Sequence, residues 1–308
     1  MNELMRIYPD ASVGALCSLF CKSRQSYYKW RPSEFRHAAM ESVVLEQTVK
    51  LRSEAPAMGA YKIYLMLLDI FGRGNMMGRD AFYALLKSNG LSLKKRMSHR
   101  TTHSYHHFHK WPNLVKGFTA ERPNRLWVSD ITYLLLSDGS VCYLHLVTDA
   151  FSRKIVGWCL SSTLQASRSL EALDMAIAEA MKAGTDLSAL IHHSDRGIQY
   201  CSHLYVGRLR SLGVSISMTE DGNPTENAIA ERVNGILKHE YLFASSLDGI
   251  SEAYNAVWRA IGHYNAVRPH MSLGYKTPQL VHEHPDQIGP KAWKKRVYAP
   301  DKTAILCT

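Results

Sequence analysis

Leu126-Trp127-Val128-Ser129-Asp130-Ile131-Thr132-Tyr133-Leu134 is the stretch whose reading decides this chain. β-Branched and aromatic residues fill it, no Gly or Pro interrupts it, and it delivers one carboxylate, Asp130, out of an apolar strand. Leu190-Ile191-His192-His193-Ser194-Asp195 repeats the arrangement and ends on Asp195. Around these two runs the spacing predicts further elements. Ser137-Asp138-Gly139-Ser140 is a hairpin turn, Val141–Thr148 a second strand and Ile155–Leu160 a third. Ser167 or Ser169 is placed to cap a helix with Leu170, Leu173, Ile177 and Met181 on its inner face. A helix near 202–212 leads to a fifth strand, Val214–Met218. Three antiparallel strands, a helix, and then more strands and helices make an α/β layer with a mixed five-stranded sheet.

A last helix, from about 226 to 241, carries a third acid, Glu231, with 35 residues between it and Asp195. Ile229, Val233, Ile236 and Leu237 form its buried stripe, while Asn227, Glu231, Asn234 and Lys238 share another face. Three carboxylates from two strands and a helix can converge on divalent cations. Mg²⁺ takes hard oxygen ligands, and two such ions about 4 Å apart assist the attacking and leaving oxygens of an in-line displacement. Asp130 is placed to bridge the ions, with Asp195 and Glu231 on either side. Close carboxylates repel, so such a site depends on its metal. Asp149, before Phe151-Ser152-Arg153, reads as a turn-forming aspartate. His192-His193-Ser194-Asp195 offers serine-hydrolase residue types, but no Gly-x-Ser-x-Gly elbow surrounds Ser194.

The front of the chain has a different texture. Residues 12–31 read as two short helices, with Val13, Leu16, Cys17 and Phe20 at helical spacing in the first. Ser23 caps the second, which holds Tyr27, Tyr28 and Trp30. Helix pairs of this size bind DNA by laying one helix in the major groove. Residues 39–54 form another helix with Val43, Val44, Leu45, Val49 and Leu51 apolar. A second hairpin spans about 59–90, its glycines Gly72, Gly74 and Gly78 serving turns rather than a phosphate loop. Lys94, Lys95, Arg96 and Arg100, followed by five histidines from His99 to His109, read as a basic linker that tracks DNA; no cysteine pair accompanies them to suggest zinc.

The formal charge of +10 over 308 residues is uneven. Residues 1–123 hold 19 Lys and Arg against 9 Asp and Glu, whereas 124–308 hold 18 of each. The whole excess therefore sits in front, where phosphate backbone is its natural partner. The 46% hydrophobic content excludes a disordered chain. No apolar run reaches the roughly 20 residues that span a bilayer and no signal peptide opens the sequence, so no membrane partner is expected. Six cysteines without a CxxC pair read as reduced thiols, and the expected location is the cytoplasm, at the nucleoid.

At these residues the chain resembles bacterial insertion-sequence transposases, whose catalytic core is related to retroviral integrase. The resemblance rests on Trp127-Val128-Ser129-Asp130-Ile131-Thr132, on His193-Ser194-Asp195-Arg196-Gly197-x-Gln199-Tyr200, and on Glu226-Asn227-Ala228-x-Ala230-Glu231 with Lys238. A downstream block also fits, Tyr264-Asn265-x-x-Arg268-Pro269-His270-x-Ser272-Leu273-Gly274-Tyr275-x-Thr277-Pro278. Glu226 stands where the family more often has Asp, and Arg232 where Ser is frequent. The resemblance implies an RNase H-like core at 124–285, after a helical DNA-binding region at 1–93 and a linker at 94–123, with a tail at 286–308. It implies a DDE-type transposase that cleaves and transfers strands at insertion-sequence ends, with Asp130, Asp195 and Glu231 as catalytic metal ligands. The expected cofactors are two Mg²⁺ ions, or Mn²⁺. Expected DNA contacts are Lys238, Arg196, Arg268, Lys94, Lys95 and Arg96. Expected partners are element ends, target DNA, further copies of the chain and the product of an upstream frame.

Overall fold

A computed structural model describes residues 6–93, 109–220, 227–242 and 247–287, leaving aside the side chains of 26–27 and 29–36. Contacts divide the chain into two compact units. One comprises the described residues of Met1–Tyr105 with Leu134–Val141 and Asn234–Ile261; the other comprises those of His106–Tyr133, Cys142–Val233 and Gly262–Thr308.

The first unit is helical. α1 (Val13–Leu19) is capped by Ser12, whose hydroxyl accepts from Ala15 N at 3.1 Å. The two helices expected over the next stretch are one, α2 (Arg24–Glu54), which starts directly after Ser23 and runs through Pro32. Pro32 removes a single backbone donor, and the helix-favouring residues after it carry the turn onward. In its second half Val44 and Thr48 face inward while Val43 and Val49 are exposed. The buried line is therefore an i, i+4 pair rather than every apolar residue of the segment. α3 (Ala60–Phe71) stops at Gly72, whose φ of 76° lets its N–H reach Leu68 O, and α4 (Arg79–Ser88) follows. The glycines here serve turns, as expected. Chain-distant residues complete the unit: Lys62 Nζ pairs with Glu240 Oε1 at 2.7 Å, and Ala57 N donates to Glu240 O.

The second unit is built on the sheet. The strands are β1 (Leu126–Leu135), β2 (Val141–Asp149), β3 (Ile155–Ser161), β4 (Ile191–Ser194) and β5 (Ser215–Met218), in the spatial order β3-β2-β1-β4-β5, and all but Leu134, Leu135 and Val141 belong to this unit. β2 and β3 run antiparallel, whereas β4 lies parallel to both β1 and β5. All five expected strands are present, and the sheet is mixed. α5 (Ala166–Lys182) and α6 (His203–Ser211) flank it, with Tyr205 and Leu209 of α6 in the same apolar cluster as Trp127, Leu173 and Ile177.

α5 differs from the expectation in two ways. Its N-cap position is Gln165, which makes no capping bond; Ser169 instead lies buried with its hydroxyl 2.8 Å from His145 Nδ1. Its inner face is Ser169, Ala172, Leu173, Ala176, Ile177 and Ala180, whereas Met181 is exposed. Small residues face in because the helix backbone nearly touches β3 at Gly157.

The block from Tyr264 onward meets β3 at its first residue. Asn265, near the end of α8 (Ile250–Ala266), accepts from Ile155 N at 3.0 Å and donates to Ile155 O at 2.9 Å. Tyr264 OH donates to Arg153 O, and α9 (Pro278–Glu283) is capped by Thr277. No described helix is long and apolar enough to cross a membrane.

Candidate active site

Parallel pairing brings the two strand-borne acids together. Ser129 of β1 is in register with Ser194 of β4, and the next residue of each strand is an aspartate. Asp130 and Asp195 are both partly exposed. Each carboxylate is steadied by a backbone donor: Ile131 N lies 2.9 Å from Asp130 Oδ1, and Gly197 N lies 3.0 Å from Asp195 Oδ1. The Tyr200 hydroxyl is held well above its ordinary value by burial first and then by the charges of Tyr205, Asp195 and Asp130, which puts both carboxylates in its neighbourhood.

Glu231 lies on α7 (Ala228–Ile236) and is exposed. α7 is tied to the same strand end, because Asn227 Nδ2 donates to Ser129 O at 3.1 Å. Among the described residues no group of three or more His, Cys, Asp or Glu forms a ready-made metal cage. Like charges oppose such a cluster without a cation. The chemistry of the donors, carboxylate oxygens steadied by amides, fits a hard divalent ion.

The polar face expected on α7 is exposed at Glu231 but covered on either side of it. Asn227 and Asn234 are buried, as are Ala230, Val233 and Ile236, while Ile229 is only half-buried. α7 also ends earlier than expected, and Leu237–Leu242 form a π-helical turn. Leu237, Tyr241 and Leu242 are all buried there, and steps of four and five residues suit the wider turn. Lys238 belongs to this turn, partly buried, so its expected spacing from Glu231 on one α-helical face does not hold.

Of the expected DNA contacts, Arg196 is half-exposed immediately after Asp195. Arg268 is a correction. It is only 2% exposed, donates to Pro269 O at 3.4 Å and lies over the Tyr264 ring, so its guanidinium braces the fold rather than meeting a phosphate. Lys94, Lys95 and Arg96 lie outside the described residues, as do most of the linker histidines. Lys110 is a cation not singled out beforehand. The Cys201 thiol is raised by burial and then by Asp195, with Lys110 and Arg196 opposing. The same segment lies along β5, where Met218 N donates to Pro112 O and Leu114 N to Ser217 Oγ.

Asp149 is the turn residue expected. Fully buried, it accepts from Ser152 N and Ser152 Oγ, both at 2.7 Å, and from Asn124 N at 2.8 Å. The adjacent histidines are structural. His192 Nε2 sits 2.8 Å from Ser129 Oγ and 2.9 Å from Tyr205 OH, and His193 Nδ1 lies 2.8 Å from Ser217 Oγ.

Burial lowers His192 to about 3 and His145 to about 4. Both stay neutral in the fold, whereas the unfolded chain protonates them near 6.5. Protons are therefore bound preferentially by the unfolded state as pH falls from about 6.5 to 4. Each histidine then withdraws about 1.4 kcal/mol of stability per pH unit, with no contribution above that window. Denaturant unfolding at pH 7.5 and 5.0 should show this loss, and His145→Gln should remove about half of the two-histidine share. Equal slopes in His145→Gln and the parent would contradict the assignment.

The comparisons match this architecture. The integrase core domain family matches residues 120–224, and a second integrase core domain model matches residues 212–278. The transposase for insertion sequence element IS629 of Shigella sonnei is 30% identical over 287 residues, covering 90% of this chain and 94% of that protein. The chain belongs to the insertion-sequence transposases. An IS600 protein of 31 kDa from the same organism is 31% identical across 89% of this transposase and 99% of its own length. The putative IS986/IS6110 transposase of Mycobacterium tuberculosis strain H37Rv is 36% identical over 194 residues, 62% of this chain and 69% of that one. The transposase is a DDE-type polynucleotidyl transferase acting on DNA, and its mixed sheet is the RNase H-like core of that class.

Proposed function

We propose that Asp130, Asp195 and Glu231 are the acidic set with which this transposase cuts and joins DNA at the ends of its insertion sequence. The observation that supports it most is the register. Ser129 and Ser194 are paired, an aspartate follows each, and the helix of Glu231 is hydrogen-bonded to Ser129. Asp130, Asp195 and Glu231 would together hold the divalent cations, Mg²⁺ or Mn²⁺, through their carboxylate oxygens. Bound there, the ions supply the acidity that activates an attacking oxygen and stabilises a leaving one.

The chain's own part is to hold and to orient. The amides of Ile131 and Gly197 fix the rotation of the two aspartates. Neutral His192 links β4 to Ser129 of β1 and adds no positive charge beneath the strand ends that carry the aspartates. Arg196 and Lys110 are suited to steering a phosphate toward Asp195, and Lys238 is retained as a contact from the π-helical turn. Lys94, Lys95 and Arg96 are further phosphate contacts in this reading. Residues 1–93 position the duplex, 94–123 link them to a core at 124–285, and 286–308 form a tail.

In the first step water attacks a phosphodiester at the element end, the P–O3′ bond breaks and the 3′ oxygen leaves as a hydroxyl. That hydroxyl then attacks a target phosphodiester and displaces its 3′ oxygen, so strands are joined with no covalent protein intermediate. Joining two ends calls for more than one copy of the chain, and an upstream-frame product is a further partner in this reading. The test is an end-labelled duplex carrying the element terminus, incubated with the protein and Mg²⁺. Nicked and joined products are expected; hydrolysis without joining would make the protein a nuclease instead.

A further inference from the structure

Asn227 stands directly before α7, where an asparagine ordinarily caps by accepting a first-turn N–H on its Oδ1. It does not do so here. The side chain is buried, its Oδ1 accepts no hydrogen bond among the described residues, and its Nδ2 is committed to Ser129 O. A buried acceptor left unsatisfied carries a desolvation cost. What the arrangement achieves instead is a bond to the peptide that leads into Asp130.

That peptide is held on two sides. The Ser129 side chain meets His192 of β4 at 2.8 Å, and the Ser129 carbonyl meets Asn227 at 3.1 Å. The backbone oxygen of Asn227 then accepts from Glu231 N at 3.1 Å, closing the first turn of the helix. Two consecutive hydrogen bonds thus run from the Asp130 peptide to the Glu231 backbone, and Asn227 is the residue they share. The remaining first-turn positions offer no substitute, since Ala228, Ile229 and Ala230 carry no side-chain donor.

We infer that Asn227 is a positioning residue, setting the distance and angle of Glu231 relative to Asp130 and Asp195. The inference rests on the assignment of these acids as the active site. Its effect is on geometry: a displacement of about 1 Å in a catalytic group can cost on the order of 100-fold in rate. Asn227→Asp is the most direct probe, since it keeps the shape and places an acceptor against the Ser129 carbonyl. Asn227→Gln keeps the donor on a longer arm.

The experiment uses the full chain and two readouts. One is cleavage of the labelled element-end duplex, separated into kcat and KM. The other is Mn²⁺ binding by the DNA-free protein, followed by water-proton relaxation. Asn227→Ala and Asn227→Asp should lower kcat by about 10- to 100-fold with KM unchanged. They should also raise the Mn²⁺ concentration for half-saturation by at least about fivefold, and Asn227→Gln should recover part of both. Glu231→Gln in the same assays separates the two readings. If it still cleaves, the acidic assignment fails. If it is inactive while Asn227→Ala matches the parent in kcat and Mn²⁺ binding, the positioning role fails. A lowered melting temperature with both readouts unchanged per folded molecule also overturns it. Should Asn227→Ala not fold, equal kcat in the Asp and Gln variants would be the contrary result.

Discussion

Asp130→Asn, Asp195→Asn and Glu231→Gln should each abolish strand cleavage, by at least about 1,000-fold, equivalent to about 4 kcal/mol of transition-state stabilisation. Each substitution keeps the shape of the side chain and removes one negative charge. For the two aspartates the structural cost is small. The amide oxygen of an asparagine can still accept from Ile131 N or Gly197 N, as the carboxylates do. Glu231 is exposed, so its packing contribution is slight. What is lost is anionic oxygen toward a divalent ion, and a neutral amide binds such ions far more weakly. DNA affinity should persist, because it comes from Lys and Arg neutralising phosphates; losing a carboxylate beside the strand can only reduce repulsion. The measurement pairs cleavage of an element-end duplex with a binding isotherm on the same DNA. A purified variant that still turns over removes its residue from the site.

The second large effect is structural. Gly157→Ala should destabilise the sheet unit by at least about 4 kcal/mol. A Cβ at Gly157 would lie 2.0 Å from Ala172 O, 2.9 Å from Ala176 N and 3.0 Å from Ala176 Cβ. Two of these are backbone atoms of α5, so no rotamer change relieves the overlap, and the helix must lift from β3. Ordinary overpacking costs about 1–3 kcal/mol; forcing a backbone apart belongs above that range. Lifting α5 would also open the cluster that holds Ala172, Leu173, Ala176 and Ile177. At about 2–4 °C per kcal/mol for a unit of this size, the melting temperature should fall by about 8 °C or more. Gly207→Ala is the control. Gly207 lies within α6 with nothing within 4 Å of its added Cβ, so alanine there should stabilise by about 0.5–1 kcal/mol. Equal melting temperatures for the two variants would contradict the packing argument.

Legibility in the sequence followed the range of the interactions. Alternation and β-branched content marked β1, β2 and β3 to within about a residue, because strand preference is expressed over a few neighbouring side chains. Asp138-Gly139 marked its turn because a φ of 82° suits glycine. The adjacent placement of Asp130 and Asp195 was foreshadowed by two apolar runs with the same ending. Boundaries that depend on distant partners were not legible. Ser169 looked like a cap until His145 claimed its hydroxyl. Asn227 and Asn234 were placed on one face with Glu231, but their burial was not legible, because helical periodicity reports which residues share a face, not what covers that face.

Arg268 shows the same division at a single residue. Its charge pointed to phosphate, and its surroundings made it a brace. Local residue order therefore determined where strands begin and end, which turns need glycine and which carboxylates reach the strand ends. Packing alone decided that α5 presents alanines to Gly157, that the helix after Glu231 widens into a π turn, and that Asn227 bonds to Ser129. The reason is physical: backbone preference acts within a few residues, whereas a buried polar group is satisfied by whatever the fold brings beside it, here from 98 positions away.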